Sequence, residues 1–426
     1  MTFALAILPI ALLLIGFPIF LVLLSAVSVA LVFYMNVPLA ALHQNLFGGV
    51  NAFALLAVPY FIYAGELMGR GSVAQRLVDF VQAGVGSVRG SLGVTTVGTS
   101  TIFGAISGAS AATVATVGKV MYPAMKRAGY PEHFSAGLIT AVGAIDIIIP
   151  PSIPMIVYGT AASESVARLY AAGIIPGLLI AAILAAYVMW YARRNGIGAG
   201  EAFDLRAFGR AAWRGVWALG APFIILGGIY GGVFSPTEAA AVACIYAAIV
   251  THFIYRELTF RDIFEAAAVT VLFTGQILVI VACASVFAWL LTVNQVPAAM
   301  VQWLQSMNVS TWQLLLAINV LLLAVGCFVD PLSAILLLSP LLVPIVKAAG
   351  VDSVHFGIVV MVNLAIGLFH PPFGINIFVA QSVLGLELKA IYRGIIPFVL
   401  LYLVALALIT YVPWISLVGV DLFLRR

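Results

Sequence analysis

The sequence predicts an all-α fold that crosses a membrane many times, and three observations predict it. Of 426 residues, 64% are hydrophobic and only 8% are charged, against about 25% charged in a soluble domain of ordinary composition. Apolar runs of roughly 20 residues, the length that spans a bilayer, recur from one end to the other. The chain also repeats itself around two Pro-Pro pairs, in segments rich in Gly, Ser and Thr. Polar surface is too scarce to coat a water-soluble globule. Hydrocarbon must therefore solvate much of the exterior, where a helix satisfies its own backbone.

Taken in order, the stretches 3–35, 50–69, 169–192, 216–234, 236–255, 266–293, 311–329 and 391–418 predict spanning helices. Those at 92–118, 134–163, 330–346 and 354–384 are apolar but interrupted. They hold Gly, Pro, Ser, Thr and Asn where a lipid-facing helix would hold Leu. The total is about ten to twelve crossings plus re-entrant pieces. The N-terminus has no Lys or Arg ahead of its apolar core and runs past signal-peptide length, so it reads as a retained helix. Arg193, Arg194, Arg206, Arg210 and Arg214, like Arg70, Arg76 and Arg89, place their stretches on the cytoplasmic side. Within 193–215, Leu205, Phe208, Ala212 and Trp213 recur at helical spacing against a basic face. This suits a helix lying on the inner membrane surface, although a plain basic loop carries the same charge.

The repeat is the most informative feature. At a shift of 221 residues, segment 123–156 matches 344–377 at nine of 34 ungapped positions. Pro123, Lys126, Ala128 and Gly129 meet Pro344, Lys347, Ala349 and Gly350. Ala144-Ile145, Pro150-Pro151 and Ile156 meet Ala365-Ile366, Pro371-Pro372 and Ile377. Two repeats in a membrane chain suggest a transporter, with a site near the midplane built from discontinuous helices. Pro-Pro supplies the discontinuity, because it removes two donors and pushes the preceding residue out of the helix. At membrane depth, the freed carbonyls and amides need partners, and ions or substrate can provide them.

The segment ahead of the first Pro-Pro, 96–118, is dominated by Gly, Ser, Thr and Ala. Two short helices meeting at Ser107-Gly108-Ala109-Ser110 would form a re-entrant hairpin whose tip offers hydroxyls and free backbone groups. A small-residue helix packed on its neighbours is the alternative. The counterpart starts at Asp330-Pro331, where Asp330 reads either as a helix cap or as an intramembrane carboxylate near a cation. The same choice applies to Asp146. Ser235-Pro236-Thr237-Glu238 has capping-box spacing, so Ser235 and Glu238 are structural.

Several classes are excluded. No phosphate-binding G-x-x-x-x-G-K-[ST] occurs, no Cys/His cluster or H-E-x-x-H supports a metal enzyme, and no intramembrane protease motif is complete. The chain is not read as an enzyme. Cys244, Cys283 and Cys327 sit in apolar stretches as small hydrophobes. Nucleic-acid binding has no basic patch to rest on.

GASAATVATVGKVMYPAMKRAGY, IIIPPSIPMIVYG, GGVFSPTEAAAVA and VDPLSAILLLSPLLVPI followed by NLAIGLFHPPFGINIFV resemble the DctM-type large membrane permease of TRAP (tripartite ATP-independent periplasmic) transporters, in the ion transporter superfamily. The resemblance covers nearly the whole chain. It implies two inverted repeats, each with a re-entrant hairpin and a broken helix, in a transport domain that slides like an elevator against a scaffold. Span counting alone makes the repeats parallel. On this scheme, 1–90 are scaffold helices and 91–165 the first transport repeat. Residues 166–310 are scaffold and arm helices with a cytoplasmic connection, 311–390 the second transport repeat, and 391–426 the C-terminal helix. The implied partners are a small four-helix membrane subunit, expected as a separate chain, and a periplasmic substrate-binding protein.

By the same resemblance, the protein is a symporter in the bacterial inner membrane, importing a small organic acid such as a C4-dicarboxylate or sugar acid. Na+ is the coupling ion, with no covalent cofactor. The expected first sodium site draws on Ser107, Gly108, Ser110, Gly143, Asp146 and Pro150. The second draws on Asp330, Asn363, Gly367, His370 and Gly374. Thr113, Pro151, Ser152 and Asn376 are substrate candidates. Asp146 stands where a small residue is usual in the family, and His370 where Thr usually precedes Pro-Pro. A structural or ion-conducting subunit of a larger membrane complex is the alternative; it would want charges spaced along several helices, and this chain has isolated ones.

Overall fold

The computed structural model describes residues 3–35, 37–200, 202–307 and 309–424, which form twenty α-helices and no β-sheet. The first predicted span is two pieces. A π-helical turn, Phe3–Ile7, runs into α1 (Leu8–Ile15), and α2 (Ile19–Tyr34) follows. Gly16 adopts a left-handed conformation at φ +88° and Pro18 opens α2, a stop and start that no straight helix accommodates. Next come α3 (Leu39–Val50), a 3₁₀ turn at Phe53–Leu56, and α4 (Ala57–Arg70). The two helices bend by 56° at this break. The amphipathic α5 (Val73–Val85) leads into a hairpin of α6 (Ser91–Ser107) and α7 (Ser110–Arg127).

The first broken helix is α8 (Glu132–Val142), a 3₁₀ turn at Gly143–Ile147, the Pro150-Pro151 pair, and α9 (Ile153–Ala162). Then α10 (Val166–Arg194) spans the molecule and α11 (Leu205–Tyr230) links the two halves. The second half opens with α12 (Pro236–Ala248), prolonged by a π-helical segment Ile249–Ile254, and the unbroken α13 (Phe260–Val293). It continues through α14 (Val296–Ser306), the hairpin α15 (Thr311–Gly326) and α16 (Pro331–Ala348), and a second broken helix, α17 (Ser353–Phe369) and α18 (Ile375–Leu384). α19 (Leu388–Tyr411) and α20 (Trp414–Leu424) close the chain.

The duplication extends to every element around the site. α6, α7, α8, α9 and α10 start at 91, 110, 132, 153 and 166. Their counterparts α15 to α19 start at 311, 331, 353, 375 and 388, offsets of 220 to 222 residues. Both Pro-Pro bonds are cis. Packing against α19 shows the repeats to be inverted. α8 runs alongside α19 in the same direction, since Phe134 meets Phe398 at 5.7 Å and the Tyr402 hydroxyl donates to Ala141 O at 2.9 Å. α17 runs the other way, with Phe369 on Tyr402 at 4.9 Å and His355 Nε2 near Thr410 O at 3.3 Å. The counterparts α8 and α17 are therefore antiparallel, and the parallel arrangement expected from span counting is corrected.

Among the described residues, six helices are long and apolar enough to cross a bilayer alone, or seven if the bent α3–α4 pair is one span. The ten to twelve crossings read from the sequence also count shorter and broken helices, such as α2, α15 and α17. α10 ends at Arg194, residues 195–200 and 202–204 form a connection without helix, and 205–215 are the first turns of the 26-residue α11. The surface helix expected over 193–215 is therefore replaced partly by a basic loop and partly by the start of a long apolar helix. The basic connections share one face: Ser72 bonds Glu257, Gly90 N donates to Gly198 O at 3.4 Å, and Phe134 stacks on Tyr191 at 3.9 Å. Glu164, Lys347 and Asp352 lie at the far end of α10, about 43 Å away along a helix of 29 residues.

Candidate functional site

At the first hairpin, the chain breaks where small residues leave room. Gly108 takes φ +60° between α6 and α7, and a side chain there would crowd Pro151 O at 3.3 Å. Ser107 and Ser110 flank it, both buried. The Ser107 hydroxyl lies 3.3 Å from Ala109 N, within the tip itself. Ser110 Oγ is 2.8 Å from Asn376 Nδ2 and 3.1 Å from Asn376 Oδ1. Asn376 Nδ2 also donates to Thr140 O at 3.2 Å. Gly143 sits against this pair: an added Cβ would lie 3.1 Å from Ser110 O and 3.5 Å from Asn376 Nδ2.

Three residues further, Asp146 is fully buried and accepts a hydrogen bond from the Thr113 hydroxyl. Its other oxygen, Oδ1, has no partner among the described residues. Gly104 lines this oxygen, and any side chain at Gly104 would collide with the carboxylate. Ser110, Thr113, Thr140, Gly143, Asp146 and Asn376 thus form one constellation drawn from both repeats, at the tip of a hairpin and the break of a helix. Hydroxyl, carboxylate, amide and main-chain oxygens suit a hard, oxygen-seeking cation. Buried and unmatched, the Asp146 oxygen is costly unless something pairs with it.

The Ser152 hydroxyl donates to Ile147 O at 2.8 Å within the Pro-Pro turn and keeps its oxygen lone pairs as acceptors. Pro150 and Pro151 are buried in the same turn, with Pro151 facing the hairpin tip.

The second hairpin is built differently. Asp330 accepts from Leu332 N and Ser333 N, both at 3.1 Å, and so takes the capping role of its two readings. Gly367 lets α17 cross the tip of α15, where a Cβ would lie 2.5 Å from Gly326 O. Gly374 folds back on the end of α17, 2.6 Å from Leu368 O by the same measure. His370 Nδ1 lies 3.2 Å from Cys327 Sγ. Asn363 turns elsewhere: its Nδ2 donates to Asn319 Oδ1 at 2.8 Å, Asn319 Nδ2 donates to Thr410 Oγ1 at 3.1 Å, and Asn363 Oδ1 is an unmatched buried acceptor. The side chains of Asp330, Asn363 and His370 therefore have separate partners, although their backbones converge on the same hairpin.

Sequence reasoning missed Thr140, Gly104, Asn319 and Cys327. Thr140 and Asn319 resemble any polar residue on an apolar helix, and Gly104 is one of several glycines in α6. Ser235 and Glu238 form the capping box as read, with reciprocal bonds of 3.3 and 2.7 Å.

Fold and site together define a polytopic membrane protein built on two inverted units, each a hairpin beside a broken helix. Residues 6–415 match the family described as tripartite ATP-independent periplasmic transporter, DctM component, and the chain belongs to that family. It is 40% identical over 95% of its length to the isethionate TRAP transporter permease protein DctMQ of Oleidesulfovibrio alaskensis, and spans 64% of that longer protein. It is 41% identical to the C4-dicarboxylate TRAP transporter large permease protein DctM of Pseudomonas aeruginosa, over 88% of this chain and 87% of that one. The relatives are named permeases, not enzymes. The YdaH transporter of Alcanivorax borkumensis shares the fold, with a TM-score of 0.68 at 16% identity, covering 96% of this chain and 98% of that one.

Proposed function

We propose that this chain is the inner-membrane permease subunit of a sodium symporter that imports a small organic anion delivered by a periplasmic binding protein. The carrying observation is the joint site: Ser110 of one repeat bonds Asn376 of the other, and one turn further along the same hairpin helix Thr113 bonds Asp146, whose Oδ1 is unmatched among the described residues. A sodium ion beside Asp146 supplies the missing positive charge and takes oxygen donors without a rigid geometry. The segments around the breaks contain no Arg to hold a carboxylate. The substrate anion therefore relies on bound sodium and on helix N-termini such as that of α18. Sharing one electrostatic field is what couples the two. Relatives named for isethionate and for C4-dicarboxylates support a small organic acid as cargo.

The elevator reading has its own support. A cavity of about 260 Å³ separates α3 and α13 from α9 and α16, and Gly48, Gly49, Ala284, Ser285 and Ala288 line it. Small residues give smooth faces along which helices can slide. A separate small membrane subunit completes the complex.

The test is reconstitution of the permease with both partners in liposomes, using radiolabelled succinate presented by the cognate binding protein. Uptake should follow an inward sodium gradient and fail when choline replaces sodium. Equal uptake in choline would refute the coupling.

A further inference from the structure

The tip of the second hairpin carries two side chains that the joint site does not use. Cys327 follows the last residue of α15, and His370 follows the last residue of α17. Cys327 Sγ and His370 Nδ1 lie 3.2 Å apart, although 43 residues of chain separate them. Each also faces a main-chain oxygen: Leu323 O is 3.2 Å from the sulfur, and Pro371 O is 2.5 Å from the ring nitrogen. Both residues are half-buried, and Pro372 and Phe373 just beyond are exposed. The pair therefore opens outward from the core.

Backbone contact holds this spacing. α17 crosses the tip of α15 where Gly367 meets Gly326, and a Cβ on Gly367 would lie 2.5 Å from Gly326 O. Gly326 directly precedes Cys327, and Gly367 lies one helical turn before His370. The close approach sets donors from two separate elements side by side.

The donor types choose the ligand. A hard cation such as sodium seeks oxygen, whereas thiolate sulfur and imidazole nitrogen suit zinc and softer divalent ions. Zinc bonds of about 2.3 Å to sulfur and about 2.0–2.1 Å to nitrogen, at a tetrahedral angle, put the two donor atoms about 3.6 Å apart. The observed 3.2 Å is short of this by about 0.4 Å, which small side-chain torsions can supply. The first repeat has no such pair. At the offsets of 220 and 221 residues that relate the hairpins and the Pro-Pro breaks, Cys327 corresponds to Ser107 and His370 to Ile149. No group of three His, Cys, Asp or Glu side chains gathers among the described residues, so main-chain oxygen and water must complete the shell. A structural zinc has four protein ligands in a closed shell. Two side chains make an open site, which fills and empties.

We propose that Cys327 and His370 form a reversible site for a zinc or cadmium ion, and that the bound ion clamps the second hairpin to the second broken helix and arrests transport. The ion takes the sulfur as thiolate, and the thiol proton leaves to water. Metal binding is independent of the proposed transport activity; the arrest rests on it.

The test starts with the purified full-length permease. Zinc or cadmium chloride should raise its melting temperature, and magnesium chloride at the same concentration should not. Cys327→Ser and His370→Gln should each weaken zinc binding by more than about tenfold, since loss of even an outer partner costs a metal site about 10–100-fold. In the unmodified protein, which needs no variant to fold, zinc should slow alkylation of Cys327 by N-ethylmaleimide, read by peptide mass spectrometry, and EDTA should restore the rate. In the reconstituted complex, zinc should inhibit sodium-driven uptake, EDTA should reverse the inhibition, and Cys327→Ser should make uptake indifferent to zinc. An unprotected Cys327, an equal effect of magnesium, or undiminished zinc binding in both variants would overturn the site. Undisturbed uptake with zinc bound would overturn the clamp. Absence of any sodium-driven uptake would count against the transport reading, with melting and alkylation still deciding the site.

Discussion

Asp146 is the residue on which the first site turns. It is fully buried, one oxygen takes the Thr113 hydroxyl, and the other has no hydrogen-bond partner among the described residues and lies against Gly104. Thr113→Val removes that donor and should cost about 1–3 kcal/mol, read as a lower melting temperature of the purified permease. Gly104→Ala forces a methyl group against the carboxylate and should cost about 1–3 kcal/mol by overpacking. Both variants should also weaken sodium protection of the protein against heating. Unchanged protection would remove Asp146 from the ion site. The sequence made Asp146, Ser110 and Gly143 legible because they flank a Pro-Pro break and a Ser-Gly-Ala-Ser tip. Asn376 was marked as a substrate contact. Its place beside Ser110 was not legible, because that contact joins opposite repeats.

Two contacts decide how elements hold together. Gly137 of α8 and Gly394 of α19 bring their backbones into direct contact, and a Cβ on Gly394 would overlap His133 O. Gly394→Ala should separate the helices and lower thermal stability by more than alanine at the open Gly209 of α11, where no atom lies within 4 Å. Equal effects in a melting assay would argue against close backbone packing.

On the basic face, Glu257 bonds Ser72 and meets Arg76 at 3.1 Å, tying the loop before α13 to the start of α5. Burial acts to raise its pKa, but the Ser72 and Arg76 hydrogen bonds outweigh that, and the carboxyl sits below its usual range. A depressed pKa stabilises the fold above the ordinary carboxylate value, and the contribution disappears as pH falls through the lowered value. The melting temperature of Glu257→Gln should therefore trail the unmodified protein at pH 7 and converge with it in acid. At this scale, apolar runs located the helices, but their breaks were legible only where Pro or Gly punctuated them. The bend between α3 and α4 falls at Asn51-Ala52, which carries neither.

For the whole molecule, inversion is the property to test. Lys126 and Lys347 are equivalent under the repeat, yet they lie on opposite faces, Lys126 paired with Glu132 and Lys347 with Glu164. In a cysteine-free background, Lys126→Cys and Lys347→Cys should react with a membrane-impermeant thiol reagent from opposite sides of oriented vesicles. Labelling from one side would contradict the architecture. Transport should also carry current. One net charge moving through 100 mV is worth about 2.3 kcal/mol, and a dicarboxylate gains from the potential only with more than two sodium ions. A valinomycin-imposed, inside-negative potential should therefore accelerate uptake, and indifference to it would refute that stoichiometry. Inversion itself was out of reach of span counting, because short and broken helices blur the count; packing against α19 resolved it.

The hydrogen bond between Ser110 and Asn376 bridges 266 residues of chain, and this sets an order on biogenesis. A ribosome that has delivered only the first half has inserted a hairpin whose polar tip still lacks its mate. The nascent half-protein must therefore wait in the membrane, shielded by the insertion machinery or by lipid-borne water, until α18 emerges. Chains stopped before Gly374 should be cleared by membrane proteases faster than chains stopped after Gly385, although both contain the entire first repeat.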